Sequence, residues 1–321
     1  MSQTKMIENS VAGKMVSAIH HAALRVKNLE EGFSRWAQTL GLHGEMFDDH
    51  GILRCTHEDY ALLLIQGDTP GLEYVCYELV AGLTLEVAAS TLKSRGVDSR
   101  IVPVKHRGLG LELFDIDANK IILIERKKHN PDWPSEVRTS NRIPGFHPRK
   151  LGHVNYLTAN AKRAVTWYHE ILEFGITDWM GDEGCWLHVN GDHHVLAFVE
   201  KGYSHIHHVA FELVDFADMR VALDHLAQLQ RPVVWGPGRH GVARNIYSYI
   251  RMPEEEIFME LFCDLEQLVN DHEVRFFPDD VRTSNTWGVM PPRSYFKFDA
   301  DSIKSEGQQS EAFSEKIPTP T

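Results

Sequence analysis

The stretch Ser204–Leu213, S-H-I-H-H-V-A-F-E-L, sets three histidines just ahead of a run that reads as a β-strand. Alternate residues of a strand face opposite sides, so His208, Ala210 and Glu212 share one face, and His207, Val209, Phe211 and Leu213 share the other. The second face is the apolar one and is expected to pack under a helix. His208 is then turned into a cavity beside the small Ala210. The same test on L151-G-H-V-N-Y-L157 groups His153 with Asn155 and Leu157, and on I257-F-M-E-L-F262 it groups Glu260 with Phe258 and Phe262. His153, His208 and Glu260 can therefore look inward from three strands of one sheet. Two neutral imidazoles and one carboxylate on one side of an ion form the facial triad of non-haem Fe(II) sites, with the remaining positions open. A lone strand histidine is more often a hydrogen-bonded core or rim residue; three parity-matched residues at equivalent places make ligation the stronger reading.

The elements that must hold these residues recur along the chain. One unit is a short strand, an amphipathic helix and several strands with turns between them. It appears first as A18-I-H-H-A-A-L-R-V26, a helix near Leu29 to Leu40 and strands around Gly51 to Gln66. It returns as K150-L-G-H-V-N-Y-L-T158, a helix near Ala161 to Leu172 and strands around Gly184 to Glu200, with an Asn190-Gly191 hairpin turn. Each copy is followed by a similar half. In the first it is Y74-V-C-Y-E-L-V80, a helix near Leu83 to Arg95 and strands ending K120-I-I-L-I-E125; in the second, H208-V-A-F-E-L-V214, a helix near Asp218 to Leu229 and strands ending I257-F-M-E-L261. The pattern predicts an α+β fold of four βαβββ modules in two pairs, each pair curling its sheet into an open barrel. V137-R-T-S-N141 echoes V281-R-T-S-N285 after the last strands of the two halves.

Matching the halves pairs His21 with His153, Tyr74 with His208 and Glu125 with Glu260. Tyr74 breaks the set, so the first half is expected to hold no metal. The expected division is an N-terminal tail over residues 1–16, a first domain over 17–130 and a linker over 131–149 marked by Pro131, Pro134, Pro144 and Pro148. A catalytic domain over 150–271 and a C-terminal tail over 272–321 complete it. The tail is expected to cover part of the site, and its Ser-, Gly-, Gln-, Glu- and Lys-rich end from Ser302 to be disordered.

Composition limits the partners. At 321 residues the chain is long enough for two domains, and 43% hydrophobic with 24% charged residues is ordinary for a globular protein. A formal charge of −12 offers no footprint for nucleic acid or anionic lipid, which favours a small-molecule ligand. There is no run of 18 or more apolar residues and no signal-peptide core at the start, so neither a membrane span nor export is expected, and the location read from this is cytoplasmic. Cys55, Cys76, Cys185 and Cys263 are far apart, as reduced thiols would be.

Set together, G152-H-V-N155, I206-H-H-V-A-F211, M259-E-L261 and G236-P-G-R-H-G-V-A-R-N-I-Y-S-Y249 resemble the type I extradiol ring-cleaving dioxygenases of the vicinal oxygen chelate superfamily, over roughly residues 17 to 270. That group includes catechol, dihydroxybiphenyl and homoprotocatechuate 2,3-dioxygenases. The resemblance implies a two-domain vicinal oxygen chelate fold. It implies one Fe(II), or Mn(II) in its place, on His153, His208 and Glu260, and cleavage of a catechol beside its diol by O2 to a muconic semialdehyde type product in aromatic catabolism. His194, His240 and Tyr249 would be the catalytic residues, with Trp186 and Asn155 beside the substrate and a tetramer-like homo-oligomer as the assembly. A histidine can supply a hydrogen-bond donor and move a proton near neutral pH, which is the part His194 would take, while His240 and Tyr249 would orient the diol.

Two features depart from the family pattern. M252-P-E-E-E256 stands where a D-P-x-G turn usually precedes the glutamate, and Trp235 stands where the homoprotocatechuate enzymes resemble an arginine before G-P-G-R-H. With Trp235 lining the site and that cation gone, a neutral or hydrophobic catechol is expected, unless Arg282 or Arg293 of the tail folds over the mouth. The competing readings are a glyoxalase-like metal-dependent isomerase or lyase, which would use four protein ligands, and a non-catalytic aromatic-binding protein, which would have no use for the triad.

Overall fold

Four helices start on a side-chain cap that supplies an acceptor to an otherwise orphaned backbone N–H. These are α1 (Leu29–Leu40) on Asn28, α2 (Leu85–Ser94) on Thr84, α3 (Ala161–Leu172) on Asn160 and α4 (Phe216–Gln228) on Asp215. Helices α1 and α3, the first of each half, both end on a left-handed residue, Gly41 at φ 61° and Glu173 at φ 60°. A Cβ at Gly41 would lie 2.0 Å from the Phe146 carbonyl oxygen, so the close approach as well as the φ requires glycine. A computed structural model describes residues 15–55, 60–127, 146–269 and 272–298 of the chain.

Eight strands make the first sheet: β1 (Val16–Val26), β2 (His43–Met46), β3 (His50–Arg54), β4 (Leu62–Gln66), β5 (Gly71–Leu79), β6 (Arg100–Val104), β7 (Gly108–Phe114) and β8 (Lys120–Ile124). Their order is β2-β3-β4-β1-β5-β8-β7-β6. The second sheet uses β9 (Lys150–Thr158), β10 (Gly175–Met180), β11 (Gly184–His188), β12 (Leu196–Glu200), β13 (His205–Glu212), β14 (Val233–Arg239), β15 (Ile246–Met252) and β16 (Ile257–Cys263). Its order is β14-β15-β16-β13-β9-β12-β11-β10, with a ninth strand, β17 (Arg275–Phe277), added at the β10 edge. Each sheet is two βαβββ modules joined back to back by the antiparallel pairs β1/β5 and β9/β13. This is the α+β architecture that the repeated pattern predicts.

The apolar faces meet in one core that runs through both halves, from Trp36 and Leu92 to Tyr168, Phe174 and Leu226. Buried polar contacts tie the halves together. Tyr168 Oη donates to Asp115 Oδ2 at 3.0 Å, and Glu255, in the turn that departs from the family pattern, pairs with Arg35 and accepts from Trp36 Nε1. That turn is thus used as a clasp on α1.

Register corrects the pairing of Glu125 with Glu260. His153 lies opposite Ala210, which lies opposite Glu260; in the first sheet His21 lies opposite Cys76, which lies opposite Ile122. Ile122 therefore occupies the Glu260 place, and Tyr74 does occupy that of His208. Glu125 instead accepts from Leu85 N and caps α2, as Glu200 accepts from Ala161 N at the start of α3. A carboxylate at a helix N-terminus is favoured by the dipole as well as by the bond.

Two further differences concern loops. Asn190-Gly191 is not a tight hairpin: it sits in the longer connection 189–195 between β11 and β12, where the Asn190 side chain accepts from Asp192 N. The tail past Asp271 is more ordered than its sequence suggests, carrying β17 and a short helix, α5 (Val281–Ser284). Most of the expected linker, V137-R-T-S-N141 and the end from Ser302 lie outside the described residues.

Candidate metal centre

Three neighbouring strands of the second sheet bring His153, His208 and Glu260 together, each under 5% exposed. Their polar atoms lie within 4.8 Å of one another. Glu260 Oε2 is 3.1 Å from His153 Nε2 and 3.1 Å from His208 Nε2. Donors on metal bonds of about 2.1 Å at right angles sit about 3 Å apart, so the spacing is that of cis ligands of a small divalent ion. His208 Nε2 is buried and has no hydrogen-bond partner, which is costly for a polar atom unless something else binds it. Burial pushes the Glu260 carboxyl up, but His153 and His208 outweigh it and hold the group well below the usual carboxylate range. Anionic Glu260 and neutral His208, whose pKa burial lowers, are the protonation states a cation requires.

The remaining atoms of these ligands are fixed by neighbours. Asn245 Nδ2 donates to Glu260 Oε1 at 3.0 Å. His208 Nδ1 is 2.8 Å from His207 Nδ1, and His207 Nε2 is 2.9 Å from the Tyr295 carbonyl. A carbonyl only accepts, so His207 carries its proton on Nε2, its Nδ1 accepts from His208, and the bare Nε2 of His208 faces the site. This corrects the placement of His207 under a helix. A β-bulge between Ile206 and His208 puts an extra residue in β13. Ile206 and Val209 then pack in the core, while His207 stays on the cavity side, stacked on Phe258 at 5.1 Å.

A cavity of about 220 Å³ opens from the three side chains, and Asn155, Trp186, His194, Trp235, His240 and Tyr249 all line it. The three ligand candidates and the six residues expected beside them thus line one cavity. His194 stands over His153 with ring centroids 4.2 Å apart; burial and the neighbouring His153 push its imidazole well down. His240 Nδ1 donates to the Ser284 carbonyl at 2.7 Å, which leaves Nε2 to accept the Tyr249 hydroxyl at 3.1 Å. Burial lowers the His240 pKa to about 4, so this polarity holds at neutral pH. Trp235 stacks on Tyr249 at 5.4 Å, and its Nε1 donates to the Val289 carbonyl.

The roof is the C-terminal tail: Thr283, Ser284, Met290, Pro291, Tyr295 and Phe296 face the cavity. Arg251 anchors it by donating to the carbonyls of Ser294 and Lys297. Arg282 and Arg293 are exposed, and neither lines the cavity. The cation there is Lys201, whose Nζ is 2.9 Å from Glu183 Oε2 and 4.8 Å from the Phe296 ring centre. Asn245, Tyr295 and Lys201 went unrecognised because none belongs to a periodic pattern; only the place of Asn245 just ahead of β15 offered a hint.

A second group, His20, His21 and Cys76, also has donor atoms within 4.8 Å of one another in the first sheet. Both nitrogens of His21 are occupied there, by His20 and by Tyr74 Oη.

Residues 150–254, which carry His153, His194, His208, His240 and Tyr249, match the model of the Glyoxalase/Bleomycin resistance protein/Dioxygenase superfamily. Residues 150–254 thus carry a domain of this superfamily. Metapyrocatechase 2 of Cupriavidus necator is 25% identical over 275 residues, spanning 79% of this chain and 82% of that protein. Homoprotocatechuate 2,3-dioxygenase from Brevibacterium fuscum, solved with 3,4-dihydroxyphenylacetate, superposes with a TM-score of 0.78 at 21% identity over 92% of this chain and 95% of its own. A Mn(II)-bound glyoxalase from Novosphingobium aromaticivorans superposes with a TM-score of 0.75 at 20% identity over 88% and 94%. Structures named for different chemistries thus share this fold, and the site has to decide between them. Among the described residues no helix is long and apolar enough to cross a membrane.

Proposed function

We propose that the protein is an extradiol dioxygenase that opens a catecholic ring beside its diol with O2, using one Fe(II), or Mn(II) in its place, on His153, His208 and Glu260. The observation that carries this reading is the buried triad of two imidazoles and one carboxylate 3.1 Å apart with only one side covered by protein ligands. Its open side faces a cavity lined by His194, His240 and Tyr249. A bound ion would supply a centre on which a diol and O2 meet.

The chain's own groups then divide the work. The Tyr249 hydroxyl donates to His240 Nε2, so toward a diol hydroxyl its oxygen acts as an acceptor and fixes the ring's orientation. Trp186, Val199 and Trp235 supply the apolar walls, and the tail forms the roof. His194 turns Nδ1 toward His193 and keeps Nε2 for the cavity, where it takes a proton from the diol and returns it to the oxygen that develops charge. A general acid–base of this kind contributes about 10² to 10⁴ in rate. Lys201 is neutralised by Glu183, which suits an uncharged or hydrophobic ring substituent.

The test is O2 uptake with a panel of substituted catechols after loading with Fe(II) or Mn(II). One O2 consumed per catechol, with a yellow ring-opened product, supports the proposal. No uptake with any catechol and either ion, together with isomerisation of a hemithioacetal, would replace it with the glyoxalase-like reading.

A further inference from the structure

Behind His194 the structure holds a chain of buried polar groups that the ring-cleavage reading follows no further than His193. His194 Nδ1 is 3.0 Å from His193 Nδ1, and His193 Nε2 is 2.7 Å from Asp178 Oδ2. Asp178 and His193 are fully buried. Asp178 lies in β10 and is paired directly with Arg275 of β17. Arg275 Nε donates to Asp178 Oδ1 at 2.9 Å, its second nitrogen donates to Oδ2 at 2.8 Å, and Glu266 holds the guanidinium's other edge. The strand that the tail adds to the sheet therefore starts on a fixed cation against a fixed carboxylate.

These contacts leave one consistent placement of protons. Arginine stays protonated, and a bidentate guanidinium keeps the facing carboxylate ionised. An ionised carboxylate only accepts, so His193 must carry its proton on Nε2. A neutral imidazole has one proton, so His193 Nδ1 is an acceptor, and the only hydrogen bond His194 can make to it is from Nδ1–H. His194 is thereby left with a bare Nε2 on the cavity side. The His207–His208 pair follows the same rule with the Tyr295 carbonyl in place of the carboxylate.

We infer that Asp178, His193 and Arg275 are positioning residues that lock His194 in the Nδ1–H tautomer, so that it meets the catechol as a proton acceptor and not as a donor. The inference rests on the proposed ring cleavage for its consequence in rate, but the tautomer itself belongs to the chain alone. Locking an imidazole in the wrong tautomer by changing the carboxylate behind it is known to be costly where a triad histidine acts as base.

The experiment reads the tautomers directly. Long-range 15N–1H spectra of the full-length chain labelled at histidine, recorded without metal and with Zn(II) as a diamagnetic ion, are assigned with His193→Gln and His194→Gln. The expected result is His193 protonated on Nε2 and His194 on Nδ1; a His194 protonated on Nε2 in the wild type overturns the inference. In Asp178→Asn the amide can donate to His193, and His194 should move toward the Nε2–H form. The Fe(II)-loaded variant should then lose about 10² to 10⁴ in kcat with the catechol KM changed less than about threefold; unchanged tautomers with unchanged kcat would overturn it. Should Asp178→Asn fail to fold, His193→Gln keeps an acceptor for His194 and His193→Phe does not. The first should retain most of kcat and the second lose it, and equal losses would refute the relay. If no catechol is ever turned over but the tautomers are as assigned, the relay stands and the proposed reaction falls.

Discussion

Replacing His207 by Ala separates two roles that adjacent histidines can be given. His208 directs Nε2 at Glu260, whereas His207 reaches His208 through Nδ1 and the Tyr295 carbonyl through Nε2. Groups that orient a ligating histidine through its other ring nitrogen cost about 10- to 100-fold in metal affinity when removed, or about 1.4 to 2.7 kcal/mol. His207→Ala should therefore weaken Fe(II) or Mn(II) by that factor and still bind one ion per chain, while His208→Ala should hold no ion after dialysis. His207 is also packed against Phe258, Tyr295 and Phe296, so the comparison is made at a temperature where circular dichroism shows both variants folded. Competition against a chelator of known affinity gives the two constants. Wild-type affinity in His207→Ala would refute the argument that His207 sets the polarity of His208, and equal loss in both variants would refute the choice of ligand.

Three further outcomes follow from the geometry. His194→Phe should keep its metal and bind catechol, yet turn over about 10² to 10⁴ more slowly; a wild-type kcat would remove His194 from the reaction. His188, buried against Thr177, has its pKa lowered to about 4, by burial first and then by His272 and His193. Between about 6.5 and 4 the unfolded chain binds the extra proton, so this contribution to stability is present above pH 6.5 and is lost as pH falls toward 4. It amounts to at most on the order of 3 kcal/mol, and urea melts of wild type and His188→Gln over that window should show a shallower fall in the variant; identical slopes would refute it. Catechols with neutral or alkyl substituents should exceed those with a carboxylate side chain in kcat/KM because Glu183 neutralises Lys201; a carboxylated catechol as best substrate would refute that reasoning.

Much of the site was legible because strand parity is a local property. His153, His208 and Glu260 each alternate with core residues, Val154, Val209 and Met259 among them, and that alternation alone turns them to one side. Parity fails where a bulge inserts a residue, which is why His207 was misplaced. Motif resemblance brought in His194, His240 and Tyr249, whose spacing carries no periodic signal. Glu125 was misread for another reason: sequence alignment of the two halves shows that an acid ends each, but not whether it sits at the Ile122 place or at the helix cap. The links that run through the tail, Arg275 to Asp178 and Tyr295 to His207, join residues some 90 apart with no repeat to announce them. No local rule could have found them.

The most direct test of ring cleavage is the mass of the product formed from unsubstituted catechol by the Fe(II)-loaded wild-type chain under 18O2. The account predicts one ring-opened product heavier than catechol by a whole dioxygen molecule, with label from the gas in its new carboxylate and none formed by His208→Ala. A quinone lighter than catechol, or a product carrying oxygen from water alone, would contradict it.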